Sequence, residues 1–191
     1  MLNPDNLQLC NEERKALDTW WSGNHEEPFV LLRHDPDFPV CDVLLPSWFD
    51  NLKLTIRYCV TRIAALMPAS FLRVLVYRML GVKIGHNVYI APGAMIDAFY
   101  PQLIELGDSS FLGLGCRILA HEYTAVNFRI GKVCIGKGSV LGAYSTVRSG
   151  VTIGEKCTVG ANSFVNRDVS DGDTVGGVPA RSLHSTAEDS L

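Results

Sequence analysis

The sequence predicts an all-β solenoid, a parallel β-helix of hexapeptide repeats, with a helical cap at its N-terminal end. Between Val133 and Arg167 the chain divides into six-residue units, and the third residue of each unit is aliphatic. These aliphatic residues are Ile135, Leu141, Val147, Ile153, Val159 and Val165. A period of six fits neither a single strand nor a helix, and repeats of this kind stack as coils around one continuous core. Six positions in register disfavour the alternative, a set of short hairpins.

Glycine follows four of these aliphatic positions. The four are Gly136, Gly142, Gly154 and Gly160. We expect the turn at this position to need backbone angles that a Cβ penalises.

The same phase begins directly after Gly81 and is interrupted twice. It holds at Ile84, Ile90 and Ile96, and it resumes at Leu106, Leu112 and Ile118 after about four extra residues within 97–102. A second interruption, AHEYTAVNFRIGK, precedes Val133. Insertions leave a solenoid as loops, often on its binding face. Because one coil takes three hexads, the edges of the two interruptions can stack, which brings Asp97 towards His121.

The chain divides by pattern into three parts. We expect an irregular and helical segment over 1–80, the repeat domain over 81–181 and a polar tail over 182–191. A short helix is predicted from Glu12 to Trp21, and prolines and acids follow it. Residues 50–80 predict two helices broken near Pro68, with Asp50 as the N-cap of the first.

The two helices carry an uneven charge. The net charge of the chain is only −3, which gives no indication of nucleic-acid binding. Yet residues 51–96 contain basic residues and no acidic one. Neither helix is long enough to span a bilayer. Two interpretations remain open and are compatible: a cap that covers the end of the solenoid, or a basic amphipathic surface that contacts an anionic membrane at its inner face.

Composition favours a reducing, cytoplasmic setting. The 6 cysteines form no CxxC pair, and the polar N-terminus does not resemble a signal peptide. Cys116, Cys134 and Cys157 are therefore expected to be buried free thiols within the repeats, acting as small hydrophobic residues. The motif HDPDFP at 34–39 contains possible metal ligands, but a solvated turn is the favoured interpretation. No metal is expected.

His121 is the strongest catalytic candidate in the residue pattern. It ends the strand-like run RILA and begins the second interruption. Histidine has a proton affinity suited to taking a proton from a hydroxyl near neutral pH. Asp97 is a candidate partner from the stacked coil, and Glu122 is a further candidate, although adjacent residues often point apart. A surface histidine without a role is the alternative.

Residues 81–183 resemble the hexapeptide-repeat acyltransferases of the maltose and galactoside O-acetyltransferase branch. The resemblance is carried by ILAHEY, by FRIGKVCIG and by the closing GVTIGEKCTVGANSFVNRDVSDGDTVGGVPARSL. It implies a left-handed β-helix and a homotrimer with active sites between subunits. It also implies transfer of an acetyl group from acetyl-CoA to a hydroxyl of a small acceptor, usually a sugar.

The resemblance also assigns residues. It implies that His121 is the general base and that the backbone amide near Gly142 and Ala143 stabilises the thioester oxyanion. Ala161 would contact the pantetheine arm. The implied contacts towards the rest of CoA come from Asn166, Arg167 and Arg181, the two arginines at its phosphates or else simply solvated.

Some residues depart from the family pattern. Val140 stands where the family often has tryptophan, and Ala143 stands where a small hydroxyl residue is frequent. The loop after the histidine is shorter and contains Glu122 and Arg129. Two other classes therefore stay open: a non-catalytic assembly or binding module, and a γ-carbonic-anhydrase-like enzyme whose zinc would need His86, His121 and Asp97.

Overall fold

The computed structural model describes residues 11–22, 29–33, 48–124 and 127–183. Its helices are α1 (Asn11–Trp21), α2 (Trp48–Leu66), α3 (Ser70–Met79) and a 3₁₀ turn (Pro101–Leu103). The strands are β1 (Phe29–Arg33), β2 (Lys83–Ile84), β3 (Tyr89–Ile90), β4 (Met95–Ile96), β5 (Ile104–Leu106), β6 (Phe111–Leu112), β7 (Arg117–Ile118), β8 (His121–Tyr123), β9 (Asn127–Gly131), β10 (Val133–Ile135), β11 (Val140–Leu141), β12 (Thr146–Val147), β13 (Thr152–Ile153), β14 (Thr158–Val159), β15 (Phe164–Val165), β16 (Thr174–Gly176) and β17 (Arg181–Ser182). The motif at 34–39 and residues 184–191 of the tail lie outside the described residues.

Most strands belong to three parallel sheets through which the chain passes in turn. The first sheet has the order β13-β10-β5-β2, the second β17-β16-β14-β11-β6-β3, and the third β15-β12-β7-β4. Among the described strands of these three sheets, only β17 is antiparallel to its neighbour. Leu141 pairs with Val159, one coil of three hexads later. The chain therefore winds as a parallel β-helix, and the coil length agrees with the prediction.

The aliphatic third position of each hexad forms the core. Leu141 and Val147 are completely buried, and their equivalents in the other hexads are buried with them in one continuous cluster. Burying one such side chain contributes about 1.5–3 kcal/mol. Cys116 and Cys157 are buried free thiols, as predicted, and burial raises the pKa of Cys116 to about 12. Cys134 is a free thiol too, but it is only half-buried, because it lies between the inward-facing Val133 and Ile135 of its strand.

The structure corrects the reason for the glycines at the fourth position. The left-handed backbone conformation occurs two residues later, as at Tyr144 (φ 58°) and Asn162 (φ 56°). At Gly142, by contrast, an added Cβ would lie 2.5 Å from the backbone nitrogen of Ala161 in the next coil. Gly136, Gly142 and Gly154 are required because successive coils approach closely, not because the turn needs an unusual φ.

This explanation predicts different outcomes for two equivalent glycines. A Cβ on Gly107 would lie 2.7 Å from the Lys137 backbone nitrogen, whereas on Gly160 its nearest neighbour would be the Ser163 hydroxyl at 3.3 Å. We expect Gly107→Ala to lower the free energy of unfolding by about 1–3 kcal/mol, the range for overpacked sites. Gly160→Ala should change it by less than about 1 kcal/mol. Urea unfolding measures both, and equal losses would contradict the explanation.

Helices α2 and α3 pack on the first coil. Arg73 is completely buried and its Nε donates to the Ile90 carbonyl at 2.7 Å, while the Tyr77 hydroxyl donates to the Ala94 carbonyl at 3.1 Å. The break between the helices lies where the sequence predicts it. The predicted N-cap is wrong, because α2 begins at Trp48 and Asp50 lies inside its first turn.

The second interruption is a hairpin, and the N-terminal region supplies its third strand. Strands β8 and β9 are antiparallel, and β1 pairs with β9 along its whole length. The Arg129 guanidinium lies 3.4 Å from the centroid of the Phe29 ring and its Nε donates to the Ser149 carbonyl. A strand at 29–33 was not expected in a segment predicted to be irregular.

Candidate active site

His121 and Asp97 meet at one edge of the third sheet. Ile96 pairs with Ile118, so the chain leaves β4 and β7 at the same edge, one coil apart. Strand β8 begins at His121, and its Nδ1 lies 2.6 Å from Oδ2 of Asp97. The stacking expected from the hexad count therefore brings these two side chains into a hydrogen bond.

The Asp97 carboxylate is buried and is held in place by hydrogen bonds to both of its oxygens. Its side chain is 1% exposed, against 17% for His121. Its oxygens accept from the backbone N–H groups of Ala120 and Phe99, each at 2.8 Å. Burial raises the pKa of Asp97, but the hydrogen bond and charge of His121 and the backbone donors outweigh this and leave the pKa below its usual value. An ionised carboxylate only accepts, so His121 carries its proton on Nδ1 and presents Nε2 as an acceptor.

Four aromatic rings surround His121. Phe99 lies at a centroid distance of 4.6 Å, Tyr100 and Tyr123 meet the imidazole edge-on, and Phe128 stacks on Tyr123. Tyr100 and Phe128 are buried, and the other two rings are half-buried, so together they limit the access of water to the imidazole and strengthen electrostatic interactions there. These rings were not predicted as site residues, although both interruptions are rich in aromatic residues.

A cavity of about 190 Å³ opens beside the imidazole, between α2 and the third sheet. Tyr58 and Thr61 of α2 line one side, and Phe99 and Leu119 line the other, so the wall is mainly apolar. Arg117 is the cationic residue of the lining. A small molecule in this cavity would lie against His121.

Glu122 does not join the histidine. Its carboxylate accepts from Nε of Arg148 at 2.8 and 2.9 Å and from the Ser149 hydroxyl at 3.0 Å. Arg148 and Ser149 lie one coil above, directly after β12. Through these hydrogen bonds, Glu122 connects the hairpin to the next coil of the solenoid.

The residues expected to contact the acyl group lie at the opposite edge of the third sheet. Gly142 and Ala143 connect β11 to β12, and Ala161 connects β14 to β15 one coil above. The Gly142 N–H already donates to the Val159 carbonyl at 2.8 Å. Among the described residues, no backbone oxygen accepts from the N–H of Ala143 or of Ala161. Within one chain these residues are thus separated from His121 by the width of the sheet.

The remaining predicted residues lie towards the C-terminal end of the solenoid. Arg167 and Arg181 line one pocket of about 160 Å³, together with Asp168 and Asp173. Asn166 lies at the same sheet edge as His121, two coils above, and its buried Oδ1 has no partner among the described atoms.

The residues available for a metal ion are dispersed. In the described part of the chain, no group of three His, Cys, Asp or Glu side chains is placed to hold one. His86 lies between β2 and β3, away from the third-sheet edge that bears His121 and Asp97.

Sequence comparison agrees with the geometry of the coils. Residues 135–167 match the family described as "Bacterial transferase hexapeptide (six repeats)". A Bacillus subtilis protein named "Putative acetyltransferase YvoF" is 37% identical over 138 residues, which cover 72% of this chain and 80% of that protein. The chain belongs to the hexapeptide-repeat transferase family. The resemblance found in the repeats and closing motif is thereby confirmed.

Solved structures of hexapeptide-repeat transferases share the fold. One is the Vibrio cholerae hexapeptide-repeat acetyltransferase VCA0836 complexed with acetyl-CoA, with 22% identity, a TM-score of 0.56, and coverage of 73% of this chain and 90% of that one. Another is a maltose O-acetyltransferase from Clostridium difficile, with 17% identity, a TM-score of 0.57, and coverage of 72% and 88%. At these identities the likeness is one of fold.

Proposed function

We propose that this protein transfers an acetyl group from acetyl-CoA to a hydroxyl of a sugar or related small molecule. The observation that carries the proposal is the hydrogen bond between His121 and Asp97 at the rim of a cavity. A histidine whose Nδ1 is held by a buried carboxylate is oriented to act as a general base through Nε2. Family membership supports acetyl-CoA as the donor, which the V. cholerae relative binds.

In the reaction, His121 Nε2 takes the proton of the acceptor hydroxyl as its oxygen attacks the thioester carbonyl carbon. The new C–O bond gives a tetrahedral oxyanion. When this collapses, the C–S bond breaks and the imidazolium returns the proton to the CoA sulfur. Asp97 stabilises the transient imidazolium by its negative charge and holds the ring in position.

The edge containing Ala143 and Ala161 suits the acyl donor. Both residues are small, so a pantetheine arm can approach the backbone. Because Gly142 already uses its N–H within the coil, the Ala143 N–H is the donor that remains for the oxyanion. The Oδ1 atom of Asn166 has no partner among the described atoms and could accept a hydrogen bond from CoA. Arg167 and Arg181 could bind the CoA phosphates. The acids Asp168 and Asp173 in the same pocket weaken that last assignment.

The division of these residues between two sheet edges supports an assembly. If three copies associate side by side, the His121 edge of one chain can face the Ala143 edge of its neighbour. We therefore propose a homotrimer with three sites between subunits. The left-handed winding of the family and a place in the cytoplasm, where acetyl-CoA is made available, belong to the same proposal.

A direct test is thiol release from acetyl-CoA with a panel of sugars and amino sugars. We expect acetyl-CoA to raise the melting temperature, since a ligand that binds only the folded state stabilises it, and thiol release to require an acceptor. CoA binding without transfer to any acceptor would favour a binding module. Zinc found in the purified protein by metal analysis, together with no acetyl transfer, would favour the carbonic-anhydrase-like alternative. Neither binding nor transfer would overturn the proposal.

A further inference from the structure

Helix α2 has apolar residues on two opposite sides. Thr61, Ala64 and Ala65 are buried towards the solenoid. The opposite side carries a second series with alternating spacings of four and three, all of it exposed. This series is Leu52, Ile56, Cys59, Ile63 and Leu66. Such spacing keeps residues in one stripe along a helix, so α2 presents a continuous apolar stripe away from the solenoid.

A second exposed apolar series lies on α3, beyond the break between the helices. Three residues spaced four apart on α3 are also exposed: Phe71, Leu75 and Met79. Leu66 and Phe71, at the ends nearest the break, are 79% and 71% exposed. Single exposed apolar residues are ordinary, but a series of this length marks an interaction surface. We call these eight residues the apolar stripe.

The charges around the apolar stripe indicate what kind of surface it would bind. Lys53 and Arg62 are exposed and lie on either side of the α2 series, as helical geometry requires for these positions. No acidic residue occurs between 51 and 96. An apolar stripe flanked by cations is complementary to an anionic lipid bilayer, in which the acyl chains are apolar and the headgroups are negatively charged.

We infer that the apolar stripe docks the protein on an anionic lipid surface. The helices lie in the headgroup region, with the stripe towards the acyl chains and Lys53 and Arg62 at the phosphates. None of the helices in the described residues is long and apolar enough to cross a bilayer, so the contact is peripheral. A second copy fits less well, because its own Lys53 and Arg62 would meet like charges across the contact.

Docking would bring the candidate active site close to the lipid surface. Tyr58 and Thr61, which line the cavity beside His121, belong to the same helix as the stripe. An acceptor held at that surface would therefore have a short path to the cavity. This consequence rests on the proposed function, whereas the docking itself does not.

The test is flotation of the full chain with vesicles, without acetyl-CoA. We expect binding to vesicles of phosphatidylcholine mixed with phosphatidylglycerol, little binding to phosphatidylcholine alone, and weaker binding as salt increases. Ile63→Glu with Leu66→Glu should lower the partition coefficient more than tenfold, since two exposed apolar side chains that would enter the acyl region become charged. Lys53→Gln with Arg62→Gln should lower it about fivefold for each charge removed.

The controls separate docking from other causes. Leu183 is 60% exposed beyond the last coil, at the opposite end of the solenoid, so Leu183→Glu should float like the native chain. Melting temperatures must be unchanged in every variant. Absence of flotation would overturn the inference, and so would binding insensitive to the stripe variants. Glutamate variants that sediment as smaller species would assign the stripe to a second copy instead.

Discussion

His121→Asn is expected to lower the rate of acetyl transfer by about 10²–10⁴-fold, the range for loss of a general base. Asparagine can still donate to Asp97 from the position of Nδ1, but it has no basic nitrogen at the position of Nε2. The variant therefore removes the base but keeps a donor to Asp97, which in the native chain lies 2.6 Å from Nδ1 of His121. Initial rates of thiol release with a saturating acceptor measure the effect.

Two controls isolate the chemical step. His86→Asn makes the same substitution at an exposed histidine between β2 and β3, and its rate should equal that of the native chain. The stabilisation of His121→Asn by acetyl-CoA should match that of the native chain, since His121 is expected to act on the acceptor. A rate within tenfold of native would assign the base to another residue.

Mixed assemblies of two inactive variants should recover about a quarter of the native activity, the fraction expected for random threefold assemblies. One partner is His121→Asn. The other is Ala161→Trp, which fills the exposed edge proposed for the pantetheine arm. If each site takes His121 from one chain and Ala161 from its neighbour, one ordered pairing in four has both native residues.

The experiment requires unfolding the variants together and refolding them. Each variant carried through alone should stay inactive, and native protein carried through alone gives the reference. Activity in the mixture no higher than in the separate variants would show that the two edges do not cooperate between chains. The His121 result would still stand in that case, so the two predictions fail independently.

The local repeat was enough to predict the coils. Each inward residue, such as Leu141, is specified by its own hexad and by stacking on the equivalent residue one coil later. The period and the coil length can therefore be counted in the sequence. The same count placed Asp97 beside His121 before any contact was known. Candidate site residues at register breaks are readable in this way because a regular solenoid converts sequence spacing into spatial position.

Other features depend on segments that meet only after folding. The pairing of β1 with β9 is made by backbone N–H and C=O groups, which nearly every residue carries. The side chains of these strands therefore gave no sign of which segments pair. Glu122 was a further catalytic candidate because it adjoins the histidine. Successive strand residues face opposite ways, however, and its carboxylate accepts from Arg148 instead. The glycines after the aliphatic residues were visible, but the neighbouring coil that excludes their Cβ atoms was not.

The sequence by itself thus determined the repeat, the length of the coil, the places where it is interrupted, and the histidine and aspartate that meet there. Only the tertiary structure decided which sheet edge holds each candidate residue and which side of α2 stays uncovered. The physical reason is that a repeat specifies contacts between successive coils, which recur at fixed spacing. The hairpin, the helices and the two edges are positioned by contacts that occur once, and no periodicity encodes them.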